Sequence, residues 1–305
     1  LADEVEADGR TFGPGEALVI PMDQPQGRLV KAAMERVLTY TDSLFYDVSA
    51  WTFPLAYGAD VVETSRVPDL GAEVIHIEPP HGDSTRRLKG MGSGYFAFFN
   101  RNKKSLAVDI KSDEGREILQ RLIPTADVIV ENFGPGTMDR LGFGYEHCKA
   151  FREDVIYCAL KGFLSGPYEK RTAMDEVVQM MGGLAYMTGP PGQPLRAGSS
   201  VIDIGGGMFG VMGILSALFH RERTGQGRYI KSALFETTAF FMGQHMAYAS
   251  VSDEPVPPMP ARVSAWSIYR VFETLEGIPL FVGIISEKQW HGFCRCFERT
   301  DWLED

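Results

Sequence analysis

From Leu70 onward the chain alternates short β-type runs, each ended by a breaker, with stretches of helical period, and few folds accept that pattern. Glu73-Val-Ile-His-Ile-Glu78 stops at Pro79-Pro80, and Asp127-Val-Ile-Val-Glu131 stops at Gly134-Pro135-Gly136. Val155 to Leu160 runs into Gly162 and Gly166-Pro167, and Ser105 to Val108 reads as a further strand. Between them, Ser112 ahead of Asp113 and Glu114 predicts a capped helix with Ile118, Leu119 and Leu122 on one face. Strands joined by helical crossovers make a largely parallel, buried sheet, so the fold class is α/β.

Further along, the sequence predicts a helix around Asp175 to Met187, a Gly/Pro-rich loop from Gly189 to Gly198 and a strand-like approach to Asp203. Gly205-Gly206-Gly207 then opens a long apolar helix that ends near Arg223, at Thr224-Gly225-Gln226-Gly227. Its most apolar part, Met208 to Phe219, falls short of the roughly 20 residues of a membrane span and reads as a buried helix. Pro255 to Pro260 reads as an extended linker. Strands over Trp266–Phe272 and Leu280–Ile285 and a helix over Glu287–Phe297 suggest a second, smaller domain from about Ala261. The expected division is an atypical segment 1–66, a large domain 67–254 and the start of a small domain 255–305.

Charge narrows the function. A formal net charge of −10 argues against a nucleic-acid partner. Between His81 and Lys111, however, Arg86, Arg87, Lys89, Arg101, Lys103, Lys104 and Lys111 face only Asp83 and Asp109 within the window. Such an island suits a small phosphorylated ligand, and equally a solvated basic face. The four cysteines do not form a disulfide framework, and Cys294-x-Cys296 has no second pair nearby to complete a zinc site. No metal, no membrane and a reducing cytoplasm are the expectations.

The first 60 residues differ in texture. Met22 to Leu29 and Phe45 to Pro54 weakly resemble a segment of zinc-carboxypeptidase-like proteins, although no H-x-x-E pair is present and the first histidine is His76. An ordinary α/β segment is the other reading, and a junction is expected near Val61 to Val67. On either reading, residues 1–60 are expected to be dispensable for ligand affinity.

Several strings in order resemble a known family. They are Asp69-Leu-Gly-Ala-Glu-Val-Ile75 with Ile77-Glu78-Pro79, Asn100-Arg-Asn-Lys-Lys-Ser105, and Ala126-Asp-Val-Ile-Val-Glu-Asn-Phe-Gly-Pro-Gly136. Leu141-Gly142, Lys161-Gly-Phe163, Arg223-Thr-Gly-Gln-Gly227 and Trp266 to Phe272 continue the series. Residues 69–305 thereby resemble the family III acyl-CoA transferases of the CaiB/BaiF type. The resemblance implies a Rossmann-like large domain with a second, smaller α/β domain, an interlocked homodimer, and coenzyme A or acyl-CoA as substrate with a small carboxylic acid as co-substrate. It places the ADP part of coenzyme A on Val108, Lys111, Asn132, Phe133, Gly134 and Arg140, with Lys104 in the basic turn. Pro79 stands where some members carry an arginine, and members usually extend beyond the point matching Asp305.

The same resemblance makes Asp203 the nucleophile that takes the acyl group as an aspartyl anhydride and then holds coenzyme A as an enzyme thioester. Read bare, an Asp ahead of a helix is a cap. The buried approach, the three glycines and the helix-start N–H groups all suit attack on a bulky thioester. Asp175 is the second catalytic candidate, or else a helix-start charge. Two rivals stand beside the transferase: an α-methylacyl-CoA racemase, disfavoured by Met174 where that branch has histidine, and a non-catalytic CoA-binding partner subunit. The poly-glycine loop of the formyl-CoA/oxalate branch is absent, which argues against oxalate as the acid.

Overall fold

A six-stranded parallel sheet organises the computed structural model, which describes residues 5–7, 10–12, 52–57, 71–252, 255–261, 266 and 268–303. Ahead of it lies a small antiparallel hairpin of β1 (Val5–Ala7) and β2 (Arg10–Phe12). The sheet contains β3 (Thr52–Tyr57), β4 (Glu73–Glu78), β5 (Lys104–Ala107), β6 (Val128–Glu131), β7 (Ile156–Lys161) and β8 (Tyr229–Ala233) in the order β5-β4-β3-β6-β7-β8. The chain grows outward from β3 on one side and then from β6 on the other. That is the doubly wound order, whose crevice opens at the carboxyl ends of the strands near the reversal.

The strand between Tyr229 and Ala233 has no counterpart in the sequence reading. Thr52–Tyr57 lies on the far side of the boundary set after residue 66, within the stretch for which an ordinary α/β segment is the other reading. In the fold this strand occupies the middle of the sheet, paired with β4 along its length and with β6 at Ala56 and Tyr57. Pro54 lacks an N–H, and the register shifts between Pro54 and Ala56, where a proline is tolerated in a sheet. Removing residues 1–60 would take a central strand with it. The stretches 13–51 and 58–70, with the carboxypeptidase-like string at Met22 and the expected junction at Val61–Val67, lie outside the described residues.

Strand periodicity sends alternate residues to two cores. Ile77, Ile129, Tyr157 and Ala159 face one layer, which is closed by α2 (Asp113–Leu122) through Leu119, by α3 (Thr137–Leu141), and by α4 (Tyr145–Phe151) through Cys148. A short α1 (Tyr95–Phe99) precedes β5. Val74, Val128, Ile156, Cys158 and Leu160 face the other layer, closed by Ile214, Ala217 and Leu218 of the long helix. Ser112 caps α2 as its sequence predicts, accepting from the Gly115 N–H at 3.0 Å.

The predicted helix over Asp175–Met187 is two: α5 (Asp175–Met181) and α6 (Leu184–Thr188). Gly183 between them has φ +85°, a left-handed turn that favours glycine. The expected strand-like approach to Asp203 is absent, because α7 (Val201–Thr224) has already begun and the three glycines lie inside it. Helix α7 ends at Gly225, with φ +69° and its N–H bonded to the Arg221 carbonyl. At 24 residues, with mean hydropathy 1.8 over its most apolar 18, α7 is by length and composition long and apolar enough to cross a membrane, whereas the sequence reading took Met208–Phe219 alone and found it too short. It packs instead against β7, β8 and α8 (Leu234–Phe241), as a core helix of the sheet does.

The glycines explain how closely it packs. A Cβ on Gly205 would come within 2.8 Å of Phe241 and 2.9 Å of Thr237 of α8. One on Gly210 would meet Leu160 at 2.9 Å, and one on Gly213 would meet Ile230 at 2.8 Å. The glycine face of α7 therefore seats the helix on α8 and the sheet. At Gly205 it does not make room for a thioester, as the sequence reading supposed.

Beyond α9 (Gly243–Val251), Met259–Ala261 forms a short 3-10 turn inside the expected linker. The antiparallel hairpin of β9 (Ile268–Glu273) and β10 (Pro279–Ile284) and α10 (Glu287–Cys296) follow within a residue or two of their predicted spans.

Candidate active site

The crevice expected at the carboxyl ends of a doubly wound sheet is present, with a volume of about 630 Å³. Its floor is Leu160, Lys161 and Gly162 at the end of β7, and one wall is Asn132, Phe133 and Gly134 after β6. The other wall is Asp175 of α5 with Ser200 and Asp203 at the start of α7. Arg171, Met174 and Arg196 complete that side.

Each wall is held by a buried carboxylate. Glu131, 4% exposed at the end of β6, accepts from the Phe133 N–H at 2.9 Å and from Lys161 Nζ at 2.6 and 2.7 Å. Lys161 also donates to the Phe133 carbonyl at 2.7 Å, so one ion pair holds both the N–H and the carbonyl of Phe133, the residue between Asn132 and Gly134. Burial pushes the Glu131 carboxyl above its ordinary pKa, against the opposing pull of Lys161. The sequence shows both residues at strand ends, but not that they meet.

Asp175, 5% exposed, holds the opposite wall. One oxygen accepts from the Ile202 N–H at 2.8 Å and the Asp203 N–H at 3.2 Å, while the other accepts from Gln179 Nε2. Gln179 is fully buried and returns its own oxygen to the Ala197 N–H at 2.8 Å. Ser200, the residue at the cap position of α7, makes no side-chain capping bond, so Asp175 serves from another helix. The remaining first-turn donors are also engaged: Val201 N–H to the Ser199 carbonyl at 2.8 Å, and Ile204 N–H to the Ser200 carbonyl at 3.0 Å. The expectation that helix-start N–H groups stabilise a developing oxyanion therefore does not fit this geometry, because their partners are already inside the fold.

Asp203 is the third residue of α7 and not its cap. Its neighbour Ile202 is fully buried in a cluster with Val178 and Leu234, which anchors the helix start and turns half-buried Asp203 to the cleft. Of the predicted site residues, Asp203, Asp175, Asn132, Phe133 and Gly134 are brought together. Val108, Lys104, Lys111 and Arg140 do not line the cleft. Val108 is buried in the packed cluster against which Phe133 also rests, so its side chain is core. Arg140 folds back over the Gly134–Gly136 turn, donating to Thr137 Oγ1 at 2.9 Å and lying 3.5 Å from the Pro135 carbonyl. Lys111 is exposed in the turn between β5 and α2.

Part of the basic island is neutralised inside the fold. Arg86 grips Glu78 through two bonds of 2.6 and 2.7 Å, and Lys104 pairs with Glu73 at 3.0 Å. Both acids lie just outside the window in which the charge excess was counted. The Arg86 bond, with help from Ser105 and the Asp83 N–H, lowers the Glu78 pKa to about 2. Lys103 donates to Asn100 Oδ1 at 3.1 Å, and burial lowers its pKa to about 7. Arg87, Lys89 and Lys111 stay exposed and have no carboxylate partner among the described residues.

Comparison with known proteins agrees with the fold. The model of CoA-transferase family III matches residues 57–305. The chain is 44% identical over 170 residues to a formyl-CoA:oxalate CoA-transferase of Streptomyces coelicolor, covering 54% of this chain and 42% of that protein. It is 43% identical over 201 residues to an acetyl-CoA:oxalate CoA-transferase of Acetobacter aceti (63% and 51%), and 33% over 249 residues to a succinyl-CoA:glutarate CoA-transferase of Mus musculus (79% and 57%). The chain thus spans about half the length of the curated relatives it matches. Among solved structures, a CAIB/BAIF family protein from Brucella suis superposes with TM-score 0.72 at 31% identity, covering 85% of this chain and 71% of that one. With the family model spanning most of the chain and the fold matching a solved member, the chain belongs to CoA-transferase family III.

Proposed function

We propose that this chain carries the catalytic wall of an acyl-CoA:carboxylate CoA-transferase, with Asp203 as nucleophile. The observation that carries the reading is the placement of Asp203, fixed by its backbone and by Ile202 in a cleft whose facing wall is the Asn132–Gly134 turn. The Asp203 carboxylate attacks the thioester carbonyl, the C–S bond breaks, and an aspartyl-acyl anhydride and coenzyme A thiolate result. The thiolate attacks the aspartyl carbonyl, releasing the first acid and leaving an enzyme-CoA thioester. The acceptor carboxylate attacks that thioester to form a second anhydride. The returning thiolate then takes the new acyl group and frees Asp203. Each bond broken is matched by one formed, and no proton is consumed.

The cleft supports a small dicarboxylic acid as acceptor. Arg171 lines it, stacks on Tyr168 at 4.5 Å, and has no carboxylate partner among the described residues. An acid with a second carboxylate has a cation to meet there. The relatives' names include oxalate and glutarate, so the sequence argument against oxalate finds no support in the comparisons. The racemase alternative needs a base beside the acyl α-carbon. Met174 is exposed in the cleft where that branch has histidine, and no histidine lines the cleft among the described residues.

Asp203→Asn tests the reading. The amide keeps the shape but not the nucleophile, so turnover should fall by about three orders of magnitude or more with coenzyme A affinity nearly unchanged. Full activity in the folded variant would refute it.

A further inference from the structure

Asp175 carries a feature that a proton-transferring carboxylate does not need: both its oxygens accept hydrogen bonds from donors of the fold, three in all, and the Arg196 guanidinium lies 4.0 Å from the oxygen that meets Gln179. Two of these are the N–H groups of Ile202 and Asp203, on the residue proposed as nucleophile and the one before it. The third is Gln179, one turn along the same helix, whose other end takes the Ala197 N–H. Asp175 and Gln179 thus join α5, the loop ahead of α7, and the start of α7. The bonds to Ala197, Ile202 and Asp203 span 18, 27 and 28 residues of sequence.

We propose that Asp175 is a positioning residue: with Gln179 it forms a two-side-chain relay that caps α7 and locks the 197–203 segment, setting the geometry of Asp203 without exchanging a proton with substrate. This rests on reading Asp203 as the nucleophile. The direction of the relay is fixed by its ends. The backbone N–H groups at 197, 202 and 203 can only donate, so the outer atoms of both side chains must accept. Between the two side chains one atom must donate and the other accept. Asp175 with Gln179 satisfies every position.

Asp175→Asn breaks that order whichever way the amides turn. With the Asn oxygen on the Ile202 and Asp203 N–H groups, its nitrogen faces Gln179 Nε2, donor against donor. Turning Gln179 over mends that contact and places its nitrogen against the Ala197 N–H. Adding Gln179→Glu restores every bond: the Asn nitrogen donates to one Glu oxygen, and the other accepts from Ala197. The pair keeps its single negative charge, moved from one side chain to the next, but Asn at 175 cannot exchange a proton.

The test compares wild type, Asp175→Asn and the Asp175→Asn/Gln179→Glu pair by steady-state kinetics and by hydrogen exchange at the amides of Ala197, Ile202 and Asp203. The relay predicts that Asp175→Asn lowers kcat about ten- to a hundredfold, as a misplaced nucleophile does, with a much smaller change in the acyl-CoA KM and faster exchange at the three amides. The double variant should recover both amide protection and most of kcat. Protected amides with kcat still at the single-variant level would overturn the proposal and make the carboxylate itself a reactant. Unchanged exchange in Asp175→Asn would overturn it as well. If Asp175→Asn does not fold, recovery of folding in the double variant supports the relay and failure of both refutes it. A wild-type chain without turnover would remove the transferase reading alone, and the exchange pattern would still decide the relay.

Discussion

The two regions expected to handle coenzyme A are built on opposite principles. Around Asp203 the geometry is fixed by buried, long-range hydrogen bonds from Asp175 and Gln179, with the partly exposed Arg196 guanidinium 4.0 Å from Asp175. Around the end of β5 the exposed cations Arg87, Lys89 and Lys111 stand on the surface, while Arg86 and Lys104 are tied to Glu78 and Glu73. A reacting atom must be held to a fraction of an ångström, whereas a phosphate group can be gathered by mobile cations. The difference teaches that a charge count does not find the residues whose geometry is set by buried bonds distant in sequence.

That contrast can be broken experimentally. The largest expected effect is the loss of turnover in Asp203→Asn, with binding nearly intact. On the opposite side, Lys111→Ala with Arg140→Ala should weaken coenzyme A binding about tenfold or more in calorimetry, since charge-assisted contacts contribute about 1.5–3 kcal/mol each. That loss should shrink as salt is raised, because exposed charges are screened, while the Asp203 and Asp175 effects should not. Salt-independent binding would erase the distinction. Arg171→Ala should raise the KM for a dicarboxylic acceptor about tenfold and leave a monocarboxylic one little changed, checked by initial rates with both acids.

A smaller effect concerns pH. Glu78 has its pKa depressed from 4.5 to about 2, chiefly by the Arg86 bond. A depressed carboxylate binds fewer protons folded than unfolded, so its contribution is complete above about 4.5 and is lost as pH falls towards 2. Glu78→Gln should flatten the acid limb of a thermal-stability profile in that window. The smallest effect is expected from Ser112→Ala, which removes the α2 cap and should cost about 1 kcal/mol in denaturant melts without altering activity.

Local signals made much of the fold legible. The runs at Glu73, Asp127 and Val155 became β4, β6 and β7, Ser112 capped its helix, and Gly225 ended α7. What was hidden depended on partners distant in sequence. Tyr229–Ala233 carries polar residues and declares itself a strand only by pairing with β7. Thr52–Tyr57 contains a proline, which disguises a central strand until the shifted register beside β4 is seen. Asp203 was singled out through a matching string, but the bond from its N–H in the first turn of α7 to Asp175 is recorded by no string of adjacent residues. Glu131 and Lys161, which shape the facing wall, end strands that are neighbours only in the sheet.

The central claim is that Asp203 becomes acylated, and trapping it is the most direct measurement. The chain is incubated with an acyl-CoA, quenched with hydroxylamine, digested and mapped by mass spectrometry. An aspartyl anhydride or an aspartyl-CoA thioester attacked at its aspartyl carbonyl becomes a hydroxamate, so the account predicts that mark on Asp203, dependent on acyl-CoA and absent from Asp203→Asn. Turnover with an unmarked Asp203, or with the hydroxamate on Asp175 or another carboxylate, would contradict it.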